Sequence, residues 1–191
     1  MTAPCKPTRK EVAAAKGRAI PDLIAPHLKV LFCGINPGLY SGAVGHHFAR
    51  PGNRFWPVLH ASGFTPRILS PFEEEDLLAL GYGLTNIVER STAGAEELKR
   101  EELIESRKTL VEKVRKYNPR FIAFLGIGAY RIAFSRPKAV IGRQDVRLYD
   151  TGVWILPSPS GLNAFYRFED LVQLFTELRI EAERKTRRTE P

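Results

Sequence analysis

Apolar residues fall along this chain in two kinds of run. The first kind is short and nearly continuous: Leu28 to Phe32, Arg120 to Leu125 and Val153 to Leu156, with Leu84 to Val88 a further strand interrupted by Thr85 and Asn86. Runs of that length without a polar face fit strands covered on both sides by other layers. The second kind recurs every three or four residues, as on amphipathic helices. It predicts a helix over Asn53 to Ala61, with Phe55, Val58 and Leu59 as the buried stripe and Pro57 in the first turn, where proline is tolerated. It predicts another over Phe72 to Leu80, whose early glutamates suit the helix dipole. Glu101 to Tyr117 is a long helix stopped by Asn118-Pro119, and Ala129 to Phe134 a short one. Phe165 to Glu183 is the last, with Phe168, Leu171, Val172, Phe175 and Leu178 spaced for burial. Strands alternating with helices predict a three-layer α/β/α domain around a central four-stranded, mainly parallel sheet. A hairpin-like pair, Val146 to Tyr149 and Val153 to Leu156, supplies the fourth core strand from its second member.

No repeat or linker divides the chain, so residues 25–183 are expected to form one domain. Residues 1–24 read as a basic arm, with Lys6, Arg9, Lys10, Lys16 and Arg18 against a single early acid, Glu11. A flexible tail is the favoured reading and a phosphate-contacting arm the other. Residues 184–191 read as a basic polar tail that frays. The stretch from Leu39 to Pro51 carries too much glycine and proline for regular structure to be expected there.

Composition then narrows the class. With 191 residues, 43% of them hydrophobic, a folded globule is expected. No apolar run approaches the ~20 residues that span a bilayer, so no membrane partner is expected. The N-terminus lacks a signal-type apolar segment, and the expected location is cytoplasmic, nucleoid-associated in a bacterium. Cys5 and Cys33 are too few for a thiolate cluster or a zinc site, and a structural disulfide is not expected. Lys and Arg number 29 against 21 Asp and Glu, a net charge of +8. That surplus favours polyanions, nucleic acid first, although a merely soluble basic protein carries the same signature.

Two loops of unusual composition each follow a predicted core strand: Gly34 to Gly52 and Pro157 to Phe165. In a parallel sheet both lie at the carboxyl edge and can face each other across one crevice. In the first loop Asn36 opens directly from the strand and is followed by Pro37. Asn-Pro-Gly is good turn chemistry. An amide there can equally hold a water or a carbonyl in a defined pose, though it does not titrate and cannot be a general base. On the residues alone the two readings balance. Phe48 is either a loop aromatic tucked into the core or a platform for a planar ring. His46 and His47, adjacent in a loop without a nearby acid, read as solvent-facing. Ser158 and Ser160 are not in a nucleophile elbow, because the glycine before Ser160 is missing. Gly126-Ile-Gly128 is only a fragment of a dinucleotide loop. No metal-ligand spacing is present among the four histidines and the acids.

Taken together, Gly34-Ile-Asn-Pro-Gly38 and Pro157-Ser-Pro-Ser-Gly-Leu162 resemble the paired motifs of the mismatch-specific uracil-DNA glycosylase and thymine-DNA glycosylase family. Phe48-Ala-Arg-Pro51, Asn53-Arg-Phe-Trp56 and Asn86-Ile-Val-Glu-Arg90 match as well, in order, across Leu28 to Leu178. The resemblance implies a single α/β domain that flips uracil, from a G·U pair or as another damaged pyrimidine, out of duplex DNA and hydrolyses its N-glycosidic bond. An abasic site is left, without metal or cofactor. The implied partner is double-stranded DNA carrying uracil or a mismatch, and a monomer is expected. By position, Asn36 would orient the attacking water. Backbone groups near Ile35 and Tyr40 would hold the leaving base, Phe48 would stack on it, and Gly38 would leave it room. Asn86 and Ser158 would line the pocket, with Thr92 and Ala93 near its mouth. Ser160, Gly161, Leu162 and Asn163 would form the wedge and its surroundings, with Leu162 inserted in the stack. Arg54 would contact phosphate.

The sequence departs from the family pattern. Ser158 replaces an asparagine and Asn163-Ala164 a Ser-Arg pair, and Ser91 to Gly94 contains no acid. Those departures keep a second reading open, a non-catalytic module that binds damaged DNA or nucleotides on the same fold. A nucleotide-phosphate enzyme using Gly126-Ile-Gly128 is a third.

Overall fold

The computed structural model describes residues 6–184. In chain order its elements are α1 (Arg9–Ala14), β1 (Val30–Gly34), α2 (Leu39–Val44), α3 (Phe55–Ala61), α4 (Asp76–Leu80), β2 (Tyr82–Asn86), α5 (Arg100–Tyr117), β3 (Phe121–Leu125), α6 (Ile127–Ala133), β4 (Gly142–Leu148), β5 (Thr151–Leu156) and α7 (Phe168–Glu183). Single 3₁₀ turns precede α4 at Pro71–Glu73 and α5 at Ala95–Glu97.

The sheet order is β2-β1-β3-β5-β4. The first four strands are parallel, and every residue in them is buried, the polar Thr85 and Asn86 of β2 included. Alternate side chains feed two cores. Val30 and Phe32 point with Leu84, Ala123 and Trp154 into a layer completed by α3, α4 and α7. Leu31 and Cys33 point with Ile122, Phe124 and Val153 into a layer completed by α5 and α6. The expected three layers and four parallel strands are therefore present. The first arm of the hairpin adds a fifth strand, β4, antiparallel at the edge. It begins at Gly142, four residues before the Val146 start expected for the hairpin. Its side chains alternate between half-buried and exposed, so it carries no apolar run to betray it.

Other expectations change. The described part of the arm expected to be free is docked. Ala15 and Ile20 are buried, Ala19 bridges Arg90, and Leu23 bridges Leu84. Thr8 caps α1 through a reciprocal pair with Glu11. The expected tail at residues 185–191, like Cys5, lies outside the described residues. Leu39 to Val44 is helical despite its glycines, because Gly38 opens α2 and Gly45, at φ 78°, ends it. The helix expected from Phe165 starts at Phe168, and Phe168 is exposed rather than buried.

Candidate active site

The carboxyl ends of all four parallel strands open into one cleft of about 400 Å³. Gly34 to Asn36 leave β1, Asn86 ends β2, Leu125 ends β3, and Ser158 follows β5. This is the crevice that a parallel sheet offers to a ligand. The two loops singled out in the sequence form its opposite walls.

Asn36 is held by its nitrogen. Nδ2 donates to Thr92 Oγ1 at 2.7 Å, Arg90 O at 3.1 Å and Pro37 O at 3.1 Å. All three are acceptors, so the amide orientation is fixed and Oδ1 is turned away from them. The segment bearing those acceptors is zipped to the Asn36 loop: Thr92 N donates to Pro37 O, and Leu39 N to Thr92 O. Arg90 is itself clamped by a two-pronged pair with Glu102 at 2.5 and 2.7 Å. The docked N-terminal segment backs this layer, with Gly17 N on Ser91 O, Ser91 N on Arg18 O, and Ser91 Oγ on Ala15 O.

Phe48 has φ 52°, a left-handed conformation that costs a bulky residue about 1–3 kcal/mol. Its ring stacks on Phe55 with centroids 4.1 Å apart and 27° between planes. The conformation thus places a backed aromatic ring in the cleft wall. Gly38 also lines the cleft, and a Cβ there would meet no atom within 4 Å, so it borders open space. At Gly34 a Cβ would collide with Asn86 Oδ1 and touch Phe48 at 3.4 Å, so glycine permits the close approach of these groups. Ile35, Ser158, Ser160, Asn163, Thr92 and Ala93 line the cleft. Leu162 stands at its mouth, 74% exposed.

Two site expectations change. Tyr40 sits in the first turn of α2, half-buried, and does not line the cleft. Arg54 is not free for phosphate. Its guanidinium donates to Tyr166 O at 2.7 Å, Asn163 O at 2.8 Å and Ser160 O at 3.1 Å, and its own N–H to Pro159 O. It is the post on which the 158–166 loop is hung. Gly161, expected in the wedge beside Leu162, packs on the Gly52 backbone, where a Cβ would lie 2.6 Å from Gly52 O.

The family model described as the uracil DNA glycosylase superfamily matches residues 21–179, most of the chain. The chain belongs to the uracil-DNA glycosylase superfamily. That membership supports a DNA glycosylase role and a DNA substrate in general terms. In fold the protein is similar to the solution NMR structure of a candidate uracil DNA glycosylase from Methanosarcina acetivorans. The TM-score is 0.57 and the identity 24%, over 85% of this chain and 98% of that one.

Against that superfamily fold, two cleft residues escaped the sequence reading. His47, expected in solvent, is 2% exposed and lines the cleft. Its Nε2 lies 3.0 Å from Pro21 O, its backbone N–H donates to Glu74 Oε2, and Nδ1 is 3.5 Å from Asn86 Nδ2. Because a carbonyl only accepts, Nε2 carries the proton and Nδ1 is the acceptor. Burial lowers the His47 pKa against the opposing pull of Pro21 O, Glu74 and Asp22. His46 pairs with the same carboxylate, 3.0 Å from Glu74 Oε1. Glu96 is the other: it lines the cleft rim with its carboxylate folded over Gly94. No sequence signal joins His47 to Glu74 or Pro21, because the partners lie more than 25 residues away. Glu96 was within reach of inspection, three residues past Ala93. Among the described residues, no cluster of three or more His, Cys, Asp or Glu that could hold a metal ion is found.

Proposed function

We propose that this protein is a monofunctional DNA glycosylase that removes uracil, G·U pairs first and other damaged pyrimidines with them. The observation that carries the reading is the fixed amide of Asn36. With Nδ2 committed to three acceptors, Oδ1 is left to accept a hydrogen from one water in the cleft. The flipped base lies on Phe48, over the space beside Gly38, while Leu162 occupies the gap in the stack.

An amide takes no proton, so bond breaking leads. The C1′–N1 bond cleaves with its electron pair leaving on uracil. The cation-like sugar is then captured at C1′ by the water on Asn36, whose proton passes to solvent or to the departed base. Glu96 adds a negative charge at the rim that favours the cationic sugar. No lysine lines the cleft among the described residues, which supports hydrolysis without a lyase step.

The test is a duplex with a single G·U pair, incubated with the protein and then treated with alkali. A strand break at the uracil, absent before alkali, is expected. Binding to an abasic duplex with no base release at any enzyme concentration would leave the non-catalytic module instead.

A further inference from the structure

The loop after β5 displays more apolar surface than one wedge needs. Phe165 is 86% exposed and Leu162 74%, the two most exposed large hydrophobic residues among those described. They stand three residues apart. The loop that carries them is held firmly by polar bonds. Arg54 takes the carbonyls of Ser160, Asn163 and Tyr166. Asn163 closes the rest, Nδ2 donating to Ser158 O and Oδ1 accepting from Phe165 N. The Phe165 ring meets the Tyr166 ring edge-to-face, at 5.1 Å between centroids, and stays 86% exposed. A constrained loop therefore holds an aromatic ring in water and forgoes the burial that stabilises such rings elsewhere.

What would cover that ring is indicated by its neighbours. Leu162 is at the cleft mouth, Arg50 on the cleft wall and Arg167 beyond the ring are exposed, and the chain carries a net +8. The surroundings are suited to a polyanion with flat apolar faces, which is a base stack. Ala164, between the two apolar residues, has no group to read a base edge.

We infer that Phe165 is a second insertion side chain, stacking on the base left unpaired in the complementary strand when Leu162 enters the duplex. The inference rests on the glycosylase reading of the cleft. It assigns the opposite strand to a ring face, which accepts any base, rather than to a hydrogen-bonding reader. Phe165 is placed outside the chemistry, so it matters for a duplex and not for a single strand.

The experiment uses the full chain with Phe165→Trp and Phe165→Ala. Trp56 and Trp154 are buried, so a tryptophan at position 165 is the exposed reporter. Its fluorescence is read against a duplex bearing a tetrahydrofuran abasic analogue opposite guanine, which needs no chemistry, with anisotropy of a labelled duplex confirming binding. Quenching by this duplex and much less by the matching single strand is expected. Phe165→Ala should melt like the parent and excise uracil from a duplex about tenfold more slowly, within what stacking of one base supplies, while single-strand excision is unchanged. An unquenched tryptophan on bound duplex overturns the inference. So does equal slowing on both substrates, or duplex excision at the parent rate. Self-association that Phe165→Ala abolishes, with duplex excision unaffected, would assign the ring to a second copy and overturn it as well. Absence of any excision by the parent protein refutes the glycosylase reading, and the fluorescence arm still reports on Phe165.

Discussion

Asn36 Nδ2 donates to Thr92 Oγ1 at 2.7 Å, and the same hydroxyl donates to Gly94 O at 2.8 Å. A hydroxyl has one proton. With it given to Gly94, Thr92 can only accept from Asn36, and the chain of bonds has one direction. The amide of Asn36 therefore cannot flip without leaving its hydrogen on the wrong side. A residue that is chemically weak is made useful by being oriented.

Thr92→Val keeps the shape and deletes the acceptor. Two of the three acceptors on Asn36 remain, so the change should lower uracil excision only about fivefold, the worth of one net hydrogen bond. Asn36→Ala removes the positioned dipole itself and should cost about 10²–10³-fold. Single-turnover rates at saturating enzyme separate the two, and duplex affinity should be unchanged in both. Equal losses would mean that Thr92 does more than orient Asn36.

Glu96→Gln removes the carboxylate at the rim and keeps the volume. Excision should slow about tenfold, as expected for an exposed charge acting through a partly wet cleft. A parent-like single-turnover rate would leave Glu96 without a part in the reaction.

Gly34→Ala places a methyl group against Asn86 Oδ1 and the Phe48 ring. Both neighbours are fixed, Asn86 by burial and Phe48 by its stack on Phe55. Overpacking of this kind costs about 1–3 kcal/mol. The variant should melt lower and bind the flipped base less well, seen as a larger loss with a uracil duplex than with an abasic one. Unchanged melting would show that the cleft floor yields.

Arg54→Met keeps the apolar stem and removes the donors to three loop carbonyls. Those bonds come from a charged group, each worth about 1.5–3 kcal/mol, partly offset because Arg54 Nε is buried without a partner. A net loss of about 2–3 kcal/mol in chemical unfolding is expected. Duplex excision should fall more than single-strand excision, since Leu162 and Phe165 ride on the loop. Arg54→Lys should behave like the methionine variant, because an ammonium cannot span the fork of carbonyls. Rescue by lysine would point to charge, and so to phosphate, after all.

The parts of the fold that were legible are those written in apolar periodicity. The strands from Val30, Phe121 and Thr151 each carry a run that only a doubly covered strand explains. The two walls of the cleft followed, since Asn36 and Leu162 both lie just past such strands. What could not be read are the contacts between polar groups distant in sequence. Arg54 read as a phosphate contact, and only folding brings it beneath Ser160, Asn163 and Tyr166. The N-terminal segment looked like a tail because its docking rests on two buried side chains, Ala15 and Ile20, and a few backbone bonds to Ser91 and Leu84. Only the Val146 end of β4 was legible, as one arm of a hairpin; its start at Gly142 was not, because its alternating polar face carries no apolar run.

His47 gives the protein a stability that depends on pH. Its neutral form donates from Nε2 to Pro21 O and presents Nδ1 to Asn86 Nδ2. Protonation would set two donors face to face inside the cleft. Burial lowers the pKa from its ordinary 6.5, Pro21 O, Glu74 and Asp22 pull it up, and His46 adds to the lowering. With the folded value below the unfolded one, the unfolded chain binds the extra proton first. Stability is then complete above about pH 6.5 and is lost as the pH falls towards the folded value. One proton per pH unit is about 1.4 kcal/mol, or about 3 °C in Tm for a chain of this size. The carboxylates held low, Glu73 by the Ser70 amide and Glu102 by Arg90, act in the same direction but only below their ordinary 4.5. Melting curves between pH 7.5 and 5 should therefore slope downward with acid for the parent and run nearly flat for His47→Gln. A flat parent curve, or a slope that survives the substitution, would place the titrating group elsewhere.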